Sequence, residues 1–460
     1  MEYSILAQKI FRRFHVLLVC SVLVLVSSLG ILIGPRKVIV LFLAIISTIY
    51  FVDLLFNFRL IVSSLKKPTA FGATPKELNS EREWPTYTVF CPLYKEAIIL
   101  PQFIKAMKAL QYPVDKLTVM LLLEEDDAET VNLANSLNLP DNFLITVVPH
   151  SLPKTKPKAC NYGLMLSKSE YSVIFDAEDI PEPDQLKKAV IAFEKAPSSI
   201  ACLQAKLNFY NPSQNLLTRL FTQEYSLWFN LILVGLQNLK GPVPLGGTSN
   251  HFKSNILIGL KGWDPYNVTE DCDLGIRLYK QGFYTAMLDS YTLEEANSKF
   301  GNWLRQRSRW VKGYMQTYLV HTGRGRSVKR RKFDVHVLTF HLVVGGKIFT
   351  LFVNPLMVAL TITYFAARGA VGNTIQSVFP TPVLYIALIT LVIGNFLQIY
   401  YYIIACVARR EWSLIRYVIL TPFYWLMMSL AGTYSVYQLI FKPHYWEKTV
   451  HGFHLVRSSK

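Results

Sequence analysis

Residues 172–179 read Ser-Val-Ile-Phe-Asp-Ala-Glu-Asp, an apolar, β-forming run that passes straight into three acids within four positions. A strand apolar on both faces belongs inside a sheet covered on both sides. The carboxyl end of such a strand is where open α/β sheets hold their ligands. Three carboxylates placed there are costly unless something neutralises them. A divalent cation with diphosphate oxygens does so, because Mg²⁺ and Mn²⁺ prefer oxygen donors. A helix N-cap at Asp179 or Asp184, ahead of Gln185, would account for one acid and not for all three.

Working outward, similar apolar runs occur at Thr86–Leu93, Leu117–Leu123, Phe143–Val148 and Ile200–Leu207, with helical stretches such as Leu100–Leu110 and Gln185–Lys195 between them. This alternation predicts a parallel or mixed sheet covered by helices. The first strand ends in Cys91-Pro92-Leu93-Tyr94-Lys95-Glu96, which alone reads as an ordinary loop. The second runs into Glu124-Glu125-Asp126-Asp127, acids that a solvated helix N-terminus would also select. Lys154-Thr155-Lys156-Pro157-Lys158-Ala159-Cys160-Asn161 opens a helix, and reads as an anion site or as a basic surface loop. Leu245-Gly246-Gly247-Thr248-Ser249-Asn250-His251 is a small-residue loop that a ligand can approach closely, or a tight turn. Thr269-Glu270-Asp271 places two acids side by side, and like-charge crowding raises a carboxyl pKa toward general-base work. Gln306, Arg309 and Trp310 bring an amide, a cation and a stacking ring to one helix end, although Trp303, Arg305, Arg307 and Trp310 equally suit a membrane-interface helix.

Composition sets the frame. Hydrophobic residues are 51% and charged residues 17% of 460, where a soluble domain carries about 25% charge. Mean hydropathy is +0.27. These values exclude a disordered, collagenous or coiled-coil chain and argue against a purely soluble one. The net charge of +17 sits beside apolar spans, which points to a membrane face and not to nucleic acid. Six scattered cysteines show neither a disulfide framework nor zinc spacing, in keeping with a reducing compartment. Apolar spans fall at His15–Gly34, Val38–Phe56, Ile348–Ala367, Pro382–Val407 and Tyr417–Phe441, each near the ~20 residues a crossing needs. The first lacks a small-residue cleavage site, so it reads as an anchor. Basic flanks put the segment after residue 58 in the cytoplasm, with Arg36 and Lys37 dissenting. The basic run 324–332 reads as a lipid-facing anchor. The expected organisation is a membrane region 1–67, a catalytic α/β domain 81–317, an interfacial and transmembrane region 318–441, and a cytoplasmic tail 442–460.

Taken in order, Asp-Ala-Glu-Asp at 176–179, Thr-Glu-Asp at 269–271 and Gln-x-x-Arg-Trp at 306–310, framed by membrane helices, resemble the processive family 2 glycosyltransferases, the group of cellulose, chitin and hyaluronan synthases. The resemblance covers residues 85–315 and extends into the C-terminal spans. It implies a GT-A (nucleotide-sugar-binding) fold inserted between transmembrane helices, a UDP-sugar donor, and Mg²⁺ or Mn²⁺. Pro92, Tyr94 and Glu96 match the first nucleotide-contacting strand end. Glu125 and Asp126 match the segment that reaches the base, and Lys158 and Asn161 the segment near the diphosphate. Asp176 and Glu178 fall on the metal-binding pattern, with Asp179 as a neighbouring ligand. Asp271 matches the general base, with Thr269 and Glu270 beside it, and Gln306, Arg309 and Trp310 match the acceptor and diphosphate site.

The implied reaction is an inverting transfer to a growing polysaccharide, forming a β-glycoside, with export through the protein's own helices. Transfer of one sugar to a membrane lipid is the alternative, and a non-catalytic receptor or scaffold with a degenerate transferase fold is the second. Partner subunits are not legible in the sequence. Trp446, Lys448 and Thr449 correspond to a cytoplasmic gating segment. Three crossings after a cytoplasmic domain would leave that segment outside. The expectation is therefore that Tyr417–Phe441 is re-entrant, broken at Pro422 or Gly432, or that Val335–Lys347 hides a further crossing.

Overall fold

In the computed structural model, residues 13–66, 70–322 and 335–445 are described. The apolar runs form an eight-stranded mixed sheet in the order β3-β2-β1-β4-β7-β6-β8-β5. The strands are β1 Tyr87–Leu93, β2 Leu117–Glu124, β3 Phe143–Val148, β4 Tyr171–Ile174, β5 Ile180–Pro181, β6 Ile200–Phe209, β7 Asn250–Lys253 and β8 Tyr284–Glu294. β1 lies parallel to β2 and β4, β2 to β3, and β6 to β8, while β7 runs antiparallel between β4 and β6. β7 and β8 had no counterpart among the expected strands. β7 is polar and short, stabilised by its neighbours and not by an apolar run of its own.

Strand alternation sorts the side chains onto two faces. Val89, Cys91, Leu93, Val119 and Leu121 pack with Phe103, Met107, Leu186 and Val190 under the helices Leu100–Lys108 and Gln185–Lys195. Phe90, Met120, Leu122 and Ile174 pack on the opposite face with Cys160, Leu164, Leu274 and Leu278 of the helices Lys156–Leu166 and Glu270–Lys280. β5 and β7 both run against the other strands, and the reversal of β7 has one consequence for the site: the small-residue loop before it returns to the edge where β1, β2, β4, β6 and β8 end.

Among the described residues, four helices are long and apolar enough to cross a bilayer: Pro35–Lys66, Val337–Ala366, Thr381–Ala408 and Trp412–Phe441. The apolar helix Arg13–Ile33 precedes them. Val335–Lys347 is not a separate crossing; a π-turn at His341–Gly346 joins it to Lys347–Ala366. The last run begins as a 3₁₀ segment, Trp412–Leu420, and becomes α-helical at Thr421-Pro422, whereas Gly432 lies within an unbroken helix. The segment that follows Val337–Ala366 forms the helix Arg368–Ser377.

The catalytic domain is seated directly on these helices. Leu60, Phe221, Leu233, Leu236, Tyr401 and Tyr424 belong to one buried apolar cluster that includes residues of both parts. The backbones approach closely at Gly235, where an added Cβ would lie 2.4 Å from the backbone oxygen of Leu60. Gly235→Ala is therefore expected to destabilise the detergent-solubilised protein by about 1–3 kcal/mol in thermal unfolding. Gly259→Ala, where nothing lies within 4 Å of the added Cβ, serves as the control.

Candidate active site

The shared strand edge opens into a cavity of about 550 Å³. Pro92, Tyr94 and Glu96 after β1, Glu124 ending β2, Asp176 and Glu178 after β4, Gly246–Thr248 before β7 and Glu294 ending β8 all line it. Thr269, Glu270 and Asp271 enter at the N-terminus of Glu270–Lys280, where the helix dipole favours acids. Gln306, Arg309 and Trp310 enter from the helix Phe300–Thr322. Their spacing of three and four residues puts them on one face.

Lys156 joins the two acid groups. Its Nζ forms an ion pair with Asp176 and donates to the Gly247 carbonyl at 2.6 Å. A Cβ added at Gly247 would be 3.6 Å from Asp271 Oδ2 and 4.0 Å from Lys156 Nζ. Asp176, Lys156 and Asp271 thus converge on one point. Burial alone would lower the Lys156 pKa, but Asp176 and Glu270 override it and hold the ammonium firmly protonated. Burial and then Asp176 push Glu178 up to about 8. Burial and the charge of Asp271 push Glu270 to about 8 as well. Asp271 is raised by burial only to about 6, because its carboxylate accepts the Cys272 N–H at 2.7 Å and faces Lys156. At neutral pH Asp271 is mostly ionised and Glu270 mostly neutral. Asp273, next on the same helix, would also be raised by burial, but Arg277 and His321 hold it near 2 and pin the helix.

Asp179 is withdrawn from the cavity. One carboxylate oxygen accepts the Asp176 N–H at 2.7 Å and the Thr248 hydroxyl, while the other, buried, meets no donor. Burial and the neighbouring acids raise its pKa. Asp176 and Glu178 on the cavity wall, with an unsatisfied buried carboxylate behind them, fit a hard divalent cation whose shell diphosphate oxygens would complete. Among the described residues no three His, Cys, Asp or Glu side chains are already gathered for a metal.

Several expected positions lie elsewhere. Glu125 is exposed and accepts the His150 N–H at 2.8 Å, and Asp126 pairs with Lys154 near its rim; the residue of this run that lines the cavity is Glu124. Lys158 is engaged at 2.6 Å by Glu124, leaving Lys156 to reach the acids. Asn161 is structural, bonding the Trp263 carbonyl at 2.8 Å and its N–H at 2.9 Å. Trp446, Lys448 and Thr449 fall outside the described residues. Arg307, with no assigned role, pairs with Glu224, which also accepts the Tyr424 hydroxyl at 2.6 Å. The Arg307 guanidinium lies 4.7 Å from the Trp310 ring centroid, bracing it.

The cavity continues between the membrane helices, where Asp53, Asn57, Lys347, Asn354, Gln398 and Tyr401 line it. Polar groups at such positions are costly and mark functional paths. The signal available in the sequence was a scatter of single polar residues within apolar spans.

Comparison with known proteins agrees with this geometry. The family described as Glycosyl transferase family group 2 matches residues 172–440, and Glycosyl transferase family 2 matches 88–252. A probable glycosyltransferase, YdaM, of Bacillus subtilis is 26% identical over 58% of this chain and 64% of its own length. The cellulose synthase catalytic subunit [UDP-forming] of Pseudomonas fluorescens is 29% identical over 53% of this chain and 33% of its own. Each match thus spans less than two thirds of the relative's length. Among solved structures, the mannosyltransferase PcManGT from Pyrobaculum calidifontis, in complex with GDP-Man and Mn²⁺, superposes with a TM-score of 0.55 at 17% identity, over 88% of this chain and 99% of that one. That likeness establishes the GT-A-like fold.

Because Glu178 and Glu270 titrate near 8 when folded and near 4.5 otherwise, the native state holds protons that the unfolded chain has released. Their contribution to stability is complete below pH 4.5 and is lost as pH rises through 8. The ligand-free melting temperature should fall over that interval, and Glu270→Gln should flatten the slope. Mn²⁺ with nucleoside diphosphate should raise the melting temperature more at the alkaline end, where the carboxylates are ionised.

Proposed function

Since the chain belongs to glycosyl transferase family group 2, we propose that it transfers a sugar from a nucleoside diphosphate sugar to a hydroxyl of a growing glycan at the membrane, with inversion at the anomeric carbon. The observation that carries this reading is the convergence of Asp271 and Asp176 on Lys156 within a cavity that continues between apolar helices. Asp271, ionised near neutrality, accepts the proton of the acceptor hydroxyl as its oxygen attacks the anomeric carbon. The bond to the diphosphate breaks on the opposite face, and an α-linked donor yields a β-glycoside. Lys156 and Arg309 hold the charge that develops on the leaving diphosphate. Asp176 and Glu178 would hold Mg²⁺ or Mn²⁺, which supplies further stabilisation of that charge when bound. Pro92, Tyr94 and Glu96 flank the nucleoside, and Gln306 and Trp310 seat the acceptor, the indole stacking on a sugar ring.

A UDP-sugar is the donor expected from the resemblance to synthases. The GDP-Man in the solved neighbour makes both nucleotides part of the test. The neutral amides and hydroxyls lining the membrane part of the cavity favour a hydroxyl-rich product, hence polymerisation with export. The basic flanks of the spans support a cytoplasmic catalytic domain. The alternative is transfer of one sugar to a lipid acceptor.

Purified protein incubated with Mn²⁺ or Mg²⁺ and a panel of radiolabelled UDP- and GDP-sugars should release nucleoside diphosphate. A ladder of products supports polymerisation, and a single lipid-soluble product supports the alternative. No release with any donor overturns the reading. Asp271→Asn is expected to lower turnover by about 10²–10⁴-fold with donor KM nearly unchanged.

A further inference from the structure

Beyond the acceptor residues, the helix Phe300–Thr322 carries Gln316, whose side chain is 0% exposed and does not line the cavity. Its two ends are used in opposite directions. The carbonyl oxygen accepts the backbone N–H of Val268 at 3.1 Å, and the amide donates to the carbonyl of Pro443 at 2.7 Å. One turn earlier Lys312, also 0% exposed, donates to the carbonyls of Tyr445 at 2.7 Å and Lys442 at 3.3 Å. Residues 442–445 therefore lie as a strap across this helix, at the point where the chain leaves the last membrane helix.

The other partner is the loop that leads into Glu270-Asp271. Asn267 donates to Thr317 at 3.0 Å and accepts the Thr269 N–H at 3.0 Å. Thr269 occupies the space over Gly313, where a Cβ would come within 2.4 Å of its side chain. The Tyr266 ring meets His444 of the strap edge-on at 5.9 Å. Strap and loop thus touch the same face of one helix, and Gln316 bonds both.

We propose that Gln316 is a positioning residue that couples docking of the 442–445 strap to placement of the loop bearing Asp271; this rests on the reading of Asp271 as the base. A glutamine offers an acceptor and a donor from one rigid amide, which suits a two-sided link. Removing it leaves the buried Val268 N–H without a partner, a cost the loop relieves by moving. A small displacement of a base is expensive in rate, and because Gln316 does not line the cavity the loss falls on turnover and not on donor binding.

The test uses the full-length protein in detergent. Gln316→Met is expected to lower kcat by about 10–100-fold while donor KM stays within about 3-fold. Lys312→Met, which removes the bonds to Lys442 and Tyr445 and leaves Gln316 in place, should lower kcat in the same direction. The double variant should be little worse than Gln316→Met alone, since both cut one link. Hydrogen exchange of the 264–271 segment should quicken in each variant. Full turnover in Gln316→Met, a loss confined to donor KM, or Lys312→Met with unchanged turnover and unchanged exchange in 264–271 overturns the coupling. If Gln316→Met does not fold, the Lys312→Met arm decides. Asp271→Asn separates the premises: an active variant removes the base assignment and the coupling with it, whereas an inactive one beside a fully active Gln316→Met removes the coupling alone.

Discussion

One ammonium holds the catalytic end of this protein together. Asp176, Glu178, Asp179, Glu270, Asp271 and Glu294 face or back one cavity, and Lys156 is the cation that contacts Asp176 and the Gly247 carbonyl within it. A buried surplus of negative charge is costly, and the protein meets it in two ways. Lys156 compensates part directly. Arg309, set among the same acids, adds to it, and burial together with the neighbouring carboxylates holds Glu178 and Glu270 up near 8. Glu270 and Asp271 differ because burial at Glu270 is reinforced by the charge of Asp271, whereas burial at Asp271 is offset by the Cys272 N–H and then by Lys156.

The helix Phe300–Thr322 is the second organising element. Gln306, Arg309 and Trp310 face the cavity, Arg307 turns to Glu224 and the Tyr424 hydroxyl, and Lys312 and Gln316 face the chain beyond the last membrane helix. A single helix thus meets the cavity, the loop that leads to Asp271 and the last apolar helix. The seat of Gly235 against Leu60 fixes the catalytic sheet on the same helices from another side. The cavity can therefore run from the acids into the membrane without crossing a flexible joint.

Much of this architecture was legible beforehand because it rests on local pattern. β1, β2, β3, β4 and β6 are continuous apolar runs, and their ends were placed to within about two residues. Three acids after a strand, a Thr-Glu-Asp turn and residues spaced three and four apart on a helix are local signals too, and Asp176, Glu178, Asp271, Gln306, Arg309 and Trp310 all line the cavity. β7 was not legible, because a four-residue polar strand exists only through pairing with β4 and β6. The polar lining of the membrane helices was not legible either, because each residue is isolated in its own span and only packing brings Asp53, Lys347 and Gln398 to one path.

What composition and order determined was the class of molecule: an α/β sheet with acids at its carboxyl edge, held between apolar helices. Those are consequences of short-range preference and of which side chains tolerate lipid. What the tertiary structure alone decided was which of several equivalent neighbours does the work. Lys156 and Lys158 are two residues apart on a helix, about 200° around its axis, so Lys156 meets Asp176 while Lys158 turns to Glu124. Glu124 and Glu125 follow each other at a strand end, where successive side chains take opposite faces, so only one lines the cavity. Direction, not residue type, made those choices, and direction is set by packing against the rest of the chain.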